Sequence, residues 1–220
     1  MKATERPKWR KKEIGKKVHN ASGTARVKAD IRRNVLEHVR PARVLDAYCG
    51  PDGMMFQDVW HAADGYIGID EEWKPTDTRR RHAGDNARII RAIDLQAFNV
   101  FDFDAFGSPW ELMVVLAARR KWERGERGAI VLTDGGSLYG QFGQPSSGIA
   151  NLLHLPHGAK LAPGRDSAKE SAEMALQAWL RRVSVRPVAA WGVDASAKER
   201  GASGGLDMIY KAVVFDGLGS

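Results

Sequence analysis

The order of strand-like and helix-like segments limits the kind of sheet that this chain can form. Between residues 43 and 136, four short apolar runs and a probable short strand near residues 81–84 are separated by segments with helical periodicity or by charged loops. The last two apolar runs, PVAAWGVDA and MIYKAVVF, are joined by the glycine-rich KERGASGGLD without a helix. Two strands joined without a crossover pair antiparallel, whereas strands separated by helices pair in parallel. The sequence therefore predicts an α/β fold, with a seven-stranded, mostly parallel sheet that ends in an antiparallel hairpin.

Length and composition are those of a soluble protein with one such domain. The chain has 220 residues, and its single cysteine, Cys49, excludes an internal disulfide bond. The apolar stretch 112–118 is too short to span a membrane, and the N-terminus lacks the apolar segment of a secretory signal. His154 and His157 are spaced like metal ligands but have no Cys or acid pair nearby. We expect a cytoplasmic protein without a membrane contact and without a metal.

The positive charge of the chain is concentrated near its N-terminus. Residues 1–40 contain thirteen Lys and Arg against four Asp and Glu, whereas the other 180 residues contain 21 against 23. Clustered Lys and Arg bind nucleic acids by releasing counterions, although a solvated leader has the same composition. Apolar residues recur at helical spacing from residue 27 onward. We therefore divide the chain into a basic N-terminal arm, residues 1–26, and a folded domain, residues 27–220.

A glycine turn follows the first predicted strand. In LDAYCGPDG, the strand ends at Asp46, and Gly50 and Gly53 complete a D-x-x-x-G-x-x-G spacing. Glycine lets the backbone turn sharply and approach a ligand closely. Asp70 follows Gly50 by twenty residues and ends the second strand, where a carboxylate can accept hydrogen bonds from a ribose. The chain lacks both the glycine spacing of the dinucleotide fingerprint and a Walker loop, so the pattern indicates another kind of nucleotide. Alternatively, Asp70 is only an acid in the turn after the strand, without a ligand.

The stretch NVFDFDAFGSPWE, residues 99–111, brings two carboxylates together. Asp102 and Asp104 are separated by one residue at the end of a predicted strand, so both side chains point to the same face. Neighbouring like charges repel, which indicates that at least one of them has a function. The alternative is a turn acid before a helix that begins near Pro109.

The acid-led glycine turn, Asp70 and the closing hairpin together resemble the class I S-adenosylmethionine-dependent methyltransferases, which have a Rossmann-like fold. The resemblance implies S-adenosylmethionine as the cofactor, with its amino-acid end in the first loop and its ribose held by Asp70. In the sequence GDN, Asp85 matches the family's acid near the adenine. Tyr48 either flanks the cofactor or fills the core. The predicted cofactor-binding residues are Asp46, Tyr48, Gly50, Gly53, Asp70, Asp85 and Asp102.

The segment DFDAFGSP resembles the D-x-D-P-Y/F-G-S-P motif of the tRNA guanine-N2 dimethyltransferase family. The resemblance implies that Asp104 is the catalytic acid and that Phe106 lies beside the target base. We expect Asp102 to support Asp104 and not to contact the substrate itself. The chain departs from that family in having Ala105 in place of proline, and it has no room for the family's large C-terminal domain.

The two resemblances imply a methyltransferase that acts on an exocyclic base amine. A carboxylate that accepts the N–H of a weakly nucleophilic aromatic amine accelerates transfer by roughly 10²–10⁴-fold, and an aromatic ring can stack on an extruded base. The expected substrate is guanine N2 in RNA, bound through Lys and Arg of residues 1–40, with RNA favoured over DNA. Two alternatives stay open: a methyltransferase for DNA or protein, and a catalytically inactive nucleic-acid-binding protein that keeps the fold.

Overall fold

The structure is a computed structural model, and it describes residues 22–72, 78–105, 107–135, 142–195 and 208–219. The strands are β1 (Arg43–Asp46), β2 (Gly65–Asp70), β3 (Arg81–Ala83), β4 (Val100–Asp104), β5 (Arg127–Asp134), β6 (Val185–Ala195) and β7 (Met208–Gly217). The α-helices are α1 (Ser22–His38), α2 (Met54–Asp58), α3 (Asn86–Ile90), α4 (Trp110–Arg119), α5 (Ser147–Leu152) and α6 (Arg165–Arg182). Short 3₁₀ helices cover Trp60–Ala62 and Leu95–Ala97.

The seven strands form one sheet in the order β3-β2-β1-β4-β5-β7-β6. The pairs among β1 to β5 are all parallel, because helices or long loops return the chain to the same end of the sheet. The strand β7 runs antiparallel between β5 and β6. The predicted fold class, a mostly parallel sheet closed by an antiparallel hairpin, is confirmed.

Two apolar layers enclose the sheet. Because successive strand residues point to opposite faces, Val44 belongs to one layer and its neighbour Leu45 to the other. The first layer is formed with α1 and α2, and the second with α3, α4, α5 and α6. Asp46 and Asp102 follow Val44 and Val100 by two residues, so their side chains lie on the α1 face.

The helix α1 begins at Ser22, five residues before the predicted start of the domain at residue 27. Its apolar side packs on the sheet through Ile31, Val35 and Val39, which are nearly or completely buried, and reaches the residues of β7 in the same layer. Most of the predicted basic arm, residues 1–21, lies outside the described residues. The first helix is therefore part of the packed core and not a separate element.

The carboxyl ends of the parallel strands meet at one edge of the sheet. Asp102 pairs in register with Asp46 on the neighbouring strand, and Asp104 extends two residues farther, opposite Thr133. In open α/β sheets this edge is where ligands bind. Within the described part of the chain, no helix is long and apolar enough to cross a membrane, and no group of three or more potential metal ligands occurs.

Candidate active site

The glycine turn after β1 has a left-handed backbone conformation at both of its glycines. Gly50 and Gly53 have φ angles of 65° and 61°, which other residues adopt only with strain. A Cβ atom at Gly53 would overlap the guanidinium of Arg79. That guanidinium donates hydrogen bonds to the carbonyl oxygens of Gly50 at 2.9 Å and Cys49 at 3.3 Å. Arg79 thus fixes the outer side of the turn, a contact that the sequence did not predict.

Asp70 connects the second strand to the same turn. Its Oδ2 accepts a hydrogen bond from the backbone N–H of Gly50 at 2.9 Å, and its Oδ1 accepts one from Glu72 at 2.9 Å. The carboxylate is half-buried and remains accessible at the sheet edge. Asp70 therefore orients the glycine turn, and it has further lone pairs for a ligand hydroxyl.

Asp85 and Tyr48 make contacts that stabilise the fold. The Asp85 side chain accepts a hydrogen bond from the backbone N–H of Arg88 at 2.7 Å, so it is the N-cap of α3. Tyr48 is half-buried and packs against the second apolar layer. Burial raises the pKa of its hydroxyl, which stays protonated. The described contacts of both residues are structural, and their contact with a cofactor stays a prediction.

The two carboxylates at the end of β4 are held by cations from α1. Asp102 is completely buried and accepts hydrogen bonds from Arg32 Nε at 2.6 Å and Nη2 at 2.7 Å. The indole Nε1 of Trp60 donates a third bond to Asp102 at 2.8 Å. Burial raises the pKa of Asp102, and the Arg32 charge opposes that rise. Asp102 therefore lies behind the surface of the site, where it can support Asp104, and its part in cofactor binding stays a prediction.

Asp104 lies at the surface of the site but is also ion-paired. Its Oδ1 is 2.8 Å from Lys28 Nζ, and its Oδ2 is 3.2 Å from Arg32 Nη2. Burial opposes ionisation of Asp104, but the charges of Lys28 and then Arg32 outweigh it and hold the pKa of this carboxyl below its usual value. Asp104 is therefore a charged hydrogen-bond acceptor at neutral pH.

Asp46 is the third carboxyl of this cluster. It accepts hydrogen bonds from the Tyr66 hydroxyl at 3.0 Å and the Tyr48 backbone N–H at 3.3 Å. Burial, and then the negative charge of Asp102, raises the pKa of Asp46 to about 8. Asp46 therefore carries a proton through most of the neutral range, which reduces the repulsion among the three acids.

A cavity of about 110 Å³ brings the turn and the end of β4 together. It is lined by Asp46, Tyr48, Cys49, Gly50, Pro51, Asp52, Gly53, Met54, Met55 and Asp104. Pockets for whole small-molecule ligands usually have about 300 Å³ or more, so this cavity has room for only a part of such a ligand. Asp102 does not line it, and the predicted aromatic residue Phe106 lies outside the described residues.

Sequence reasoning missed the cations of the site. Lys28 and Arg32 were grouped with the surface charges of the N-terminus, yet their residues are only 7% and 1% exposed. A signal was present, because the two lie four residues apart on α1 beside its buried apolar stripe and thus share one helix face. These two cations therefore face the protein interior and are not part of a nucleic-acid surface.

Comparison with known proteins identifies the fold. No protein-family model matches the chain, and no curated protein sequence is significantly similar to it. Trm1 from Pyrococcus horikoshii, solved with S-adenosyl-L-methionine, is similar with a TM-score of 0.53 at 14% identity; the match covers 88% of this chain and only 56% of Trm1. TYW2 from M. jannaschii, solved with AdoMet, has a TM-score of 0.52 at 9% identity, over 91% of this chain and 78% of TYW2.

These likenesses and the strand order define the fold. The chain has the fold of the class I S-adenosylmethionine-dependent methyltransferases, which confirms the expectation from its motifs. The glycine turn with its left-handed residues lies where this fold places its ligand, at the carboxyl edge of the sheet.

Proposed function

We propose that the protein is an S-adenosylmethionine-dependent methyltransferase that modifies an exocyclic base amine in RNA, with guanine N2 as its target. One observation carries this proposal: the charged carboxylate of Asp104 and the glycine turn, residues 46–55, line the same cavity. A group that can accept an amine N–H therefore lies beside the backbone that would hold one end of the cofactor.

The residues of the chain fit this cofactor. The left-handed backbone at Gly50 and Gly53 opens the turn to a ligand, and Asp70 offers a carboxylate to ribose hydroxyls. When bound, S-adenosylmethionine supplies an electrophilic methyl group. The protein then has to exclude water, orient the amine and accept its proton.

Asp104 suits the last two tasks. An aromatic amine is a weak nucleophile, because its lone pair is delocalised into the ring, and a carboxylate that accepts its N–H raises the electron density on nitrogen. The proton lost after methylation comes from a positively charged, strongly acidic nitrogen, so a carboxylate of low pKa is a sufficient acceptor. This acid–base contribution is worth roughly 10²–10⁴-fold in rate.

We propose RNA as the substrate because of the likeness to Trm1 and the positive charge of the N-terminal segment. Trm1, a tRNA guanine-N2 methyltransferase, belongs to the family that DFDAFGSP resembles, and the N-terminal segment is strongly basic. On α1, Arg26 and Arg33 are exposed and paired with Asp30. We therefore assign nucleic-acid binding chiefly to the eight Lys and Arg of residues 1–21.

The decisive experiment incubates the protein with total RNA, total DNA and isotopically labelled cofactor, followed by mass spectrometry of the nucleosides. Labelled N2-methylguanosine from RNA is the expected product, and Asp104→Asn, which keeps the shape but not the charge, is the matched control. Label in DNA or protein only would replace the proposed substrate. Absence of cofactor binding in calorimetry would instead indicate an inactive nucleic-acid-binding protein.

A truncation tests the proposed binding segment. Removing residues 1–21 leaves α1 and its buried cations in place, so cofactor binding should persist while affinity for RNA falls. The dependence of log K on log salt should also flatten, by about 0.7 for each phosphate of single-stranded RNA that the segment no longer neutralises. A truncated protein that keeps the full salt dependence would show that the segment does not bind RNA.

A further inference from the structure

Lys28 occupies an unusual position for a lysine. It lies on α1, its residue is only 7% exposed, and its Nζ is 2.8 Å from Oδ1 of Asp104. The same ammonium lies over the ring of Tyr210, 5.6 Å from its centroid. Lysine is rarely buried unless it is paired. The fold therefore holds this charge close to the carboxylate that faces the cavity.

Lys28 and Arg32 are not equivalent partners of Asp104. Arg32 gives its two shortest bonds to Asp102, at 2.6 and 2.7 Å, and reaches Asp104 only at 3.2 Å. Its Nη1 donates to the backbone carbonyl of Lys28 at 3.0 Å, which fixes the guanidinium on the helix. Arg32 thus mainly neutralises the buried Asp102, and Lys28 makes the shorter contact with Asp104.

The charges around Asp104 come from three elements. Lys28 and Arg32 approach it from α1, Asp102 lies on the same strand, and Asp46 lies at the end of the neighbouring strand. Without Lys28, a single guanidinium would face three carboxyl groups. Since two negative charges cannot share a buried space cheaply, the loss would favour protonation of Asp104.

We propose that Lys28 is a positioning residue for methyl transfer, which holds Asp104 as a fixed, charged acceptor for the substrate amine. This inference rests on the proposed function, because it assigns Asp104 to the amine. It makes α1 a component of the reacting site, although no residue of α1 lines the cavity itself.

If Lys28 keeps Asp104 charged, its loss should change how the rate of methyl transfer depends on pH, and not only the rate at one pH. In Lys28→Met, which keeps the length of the stem and removes the charge, Asp104 should take up a proton at higher pH than in the unaltered protein. Single-turnover methyl transfer should then be lowered about tenfold or more near pH 6 and recover to within about threefold near pH 9. Lys28→Arg should restore the original profile, since it restores the charge.

The test combines kinetics with a measurement that needs no substrate. Carbon-13 NMR of the labelled aspartate carboxyls, with Asp104→Asn to assign the signal, follows the titration of Asp104 in each variant. The matched control is Lys169→Met, which removes a lysine of α6 that is ion-paired to Asp194 and not to Asp104. Thermal unfolding and cofactor calorimetry establish that each variant is folded.

The outcomes separate the two claims. A higher pKa of Asp104 in Lys28→Met, with an unchanged titration in the Lys169 variant, supports the inference. An unchanged titration of Asp104 overturns it, and so does a rate that is lowered equally at every pH. If no nucleic acid is methylated by the unaltered protein, the proposed function fails, while the NMR titration still decides whether Lys28 controls the charge of Asp104.

Discussion

The two halves of the carboxyl edge are built in different ways. Around the glycine turn, the partners are backbone groups and exposed or half-buried side chains, as in the bonds from Gly50 to Asp70 and from Arg79 to Gly50. At the end of β4, the partners are buried charges, and the bonds from Arg32 to Asp102 join residues 70 positions apart in the sequence. The glycine turn is therefore an accessible loop held by backbone hydrogen bonds, and the end of β4 is a buried ionic cluster.

This difference separates ligand contact from structural support. Polar contacts near solvent can exchange with water or a ligand at a net cost of about 1 kcal/mol each. A buried ion pair that loses one member leaves an uncompensated charge, which costs about 3–5 kcal/mol. Substitutions in the glycine turn should therefore change binding, whereas substitutions in the ionic cluster should change stability, with Asp104 and its partner Lys28 as the exceptions.

The largest effect should come from Asp104→Ala. Because Asp104 is the member of the ionic cluster that lines the cavity, its loss should lower single-turnover methyl transfer by roughly 10²–10⁴-fold while cofactor binding persists. Rapid-quench kinetics and calorimetry on the same preparation measure both quantities. If Asp104→Ala transfers methyl groups at the original rate, the assignment of the catalytic acid is wrong.

Asp102→Ala should mainly destabilise the protein. It leaves the guanidinium of Arg32, which is 1% exposed, without its principal partner, so the free energy of unfolding should fall by about 3–5 kcal/mol. Urea denaturation measures this loss. As a control, the double variant Asp102→Leu with Arg32→Met removes both charges and should be more stable than Asp102→Ala; a double variant that is less stable would contradict the buried-charge explanation.

Asp70→Ala should weaken cofactor binding with little change in stability. The substitution removes the acceptor of the Gly50 N–H and the proposed ribose contact, so the affinity should fall by about 1–3 kcal/mol. Calorimetric titration with S-adenosylmethionine measures it. The comparison is the unaltered protein, with urea denaturation to establish that the variant is folded; an unchanged cofactor affinity in the folded variant would remove Asp70 from the binding site.

Asp46→Asn should alter how stability depends on pH. The pKa of Asp46 is raised to about 8 in the folded protein, whereas its pKa in the unfolded chain is near 4. Between about pH 4 and pH 8, the Asp46 carboxyl is therefore protonated in the folded state and ionised in the unfolded state. This contribution to stability is present at low pH and is lost as pH rises. Relative to Asp46→Asn, the unaltered protein should lose on the order of 1 kcal/mol or more across that window, measured by urea denaturation at several pH values; parallel curves would show that Asp46 titrates normally.

The sheet could be predicted because its signals are local. Apolar runs such as GYIGID and GAIVLTDGG mark β2 and β5, and the lack of a helix between the last two runs predicts the antiparallel hairpin. The glycine turn was predictable for the same reason, since Gly50 and Gly53 are required by the backbone conformation itself. Such signals depend on a few neighbouring residues.

The ionic cluster could not be predicted in the same way. The alternation in β4 shows that Asp102 and Asp104 share a face, but it does not identify the element that covers that face. Arg32 and Lys28 belong to a strongly basic segment, and such segments usually lie on the protein surface. Nothing in the sequence distinguishes Trp60 from the other six tryptophans as a partner of Asp102. Pairing of distant charges depends on how α1 packs, which only the tertiary structure shows.

The packing of α1 also depends on the last strand of the chain. This helix lies against β7, where Tyr210, Ala212 and Val214 belong to the same apolar layer, although most of the chain separates the two elements in sequence. Contacts of such long range form late, because a large loop must close before they stabilise anything. On the ribosome, the strands β1 to β5 can emerge before β7, so the apolar surface that α1 covers is complete only after the last strand has joined the sheet.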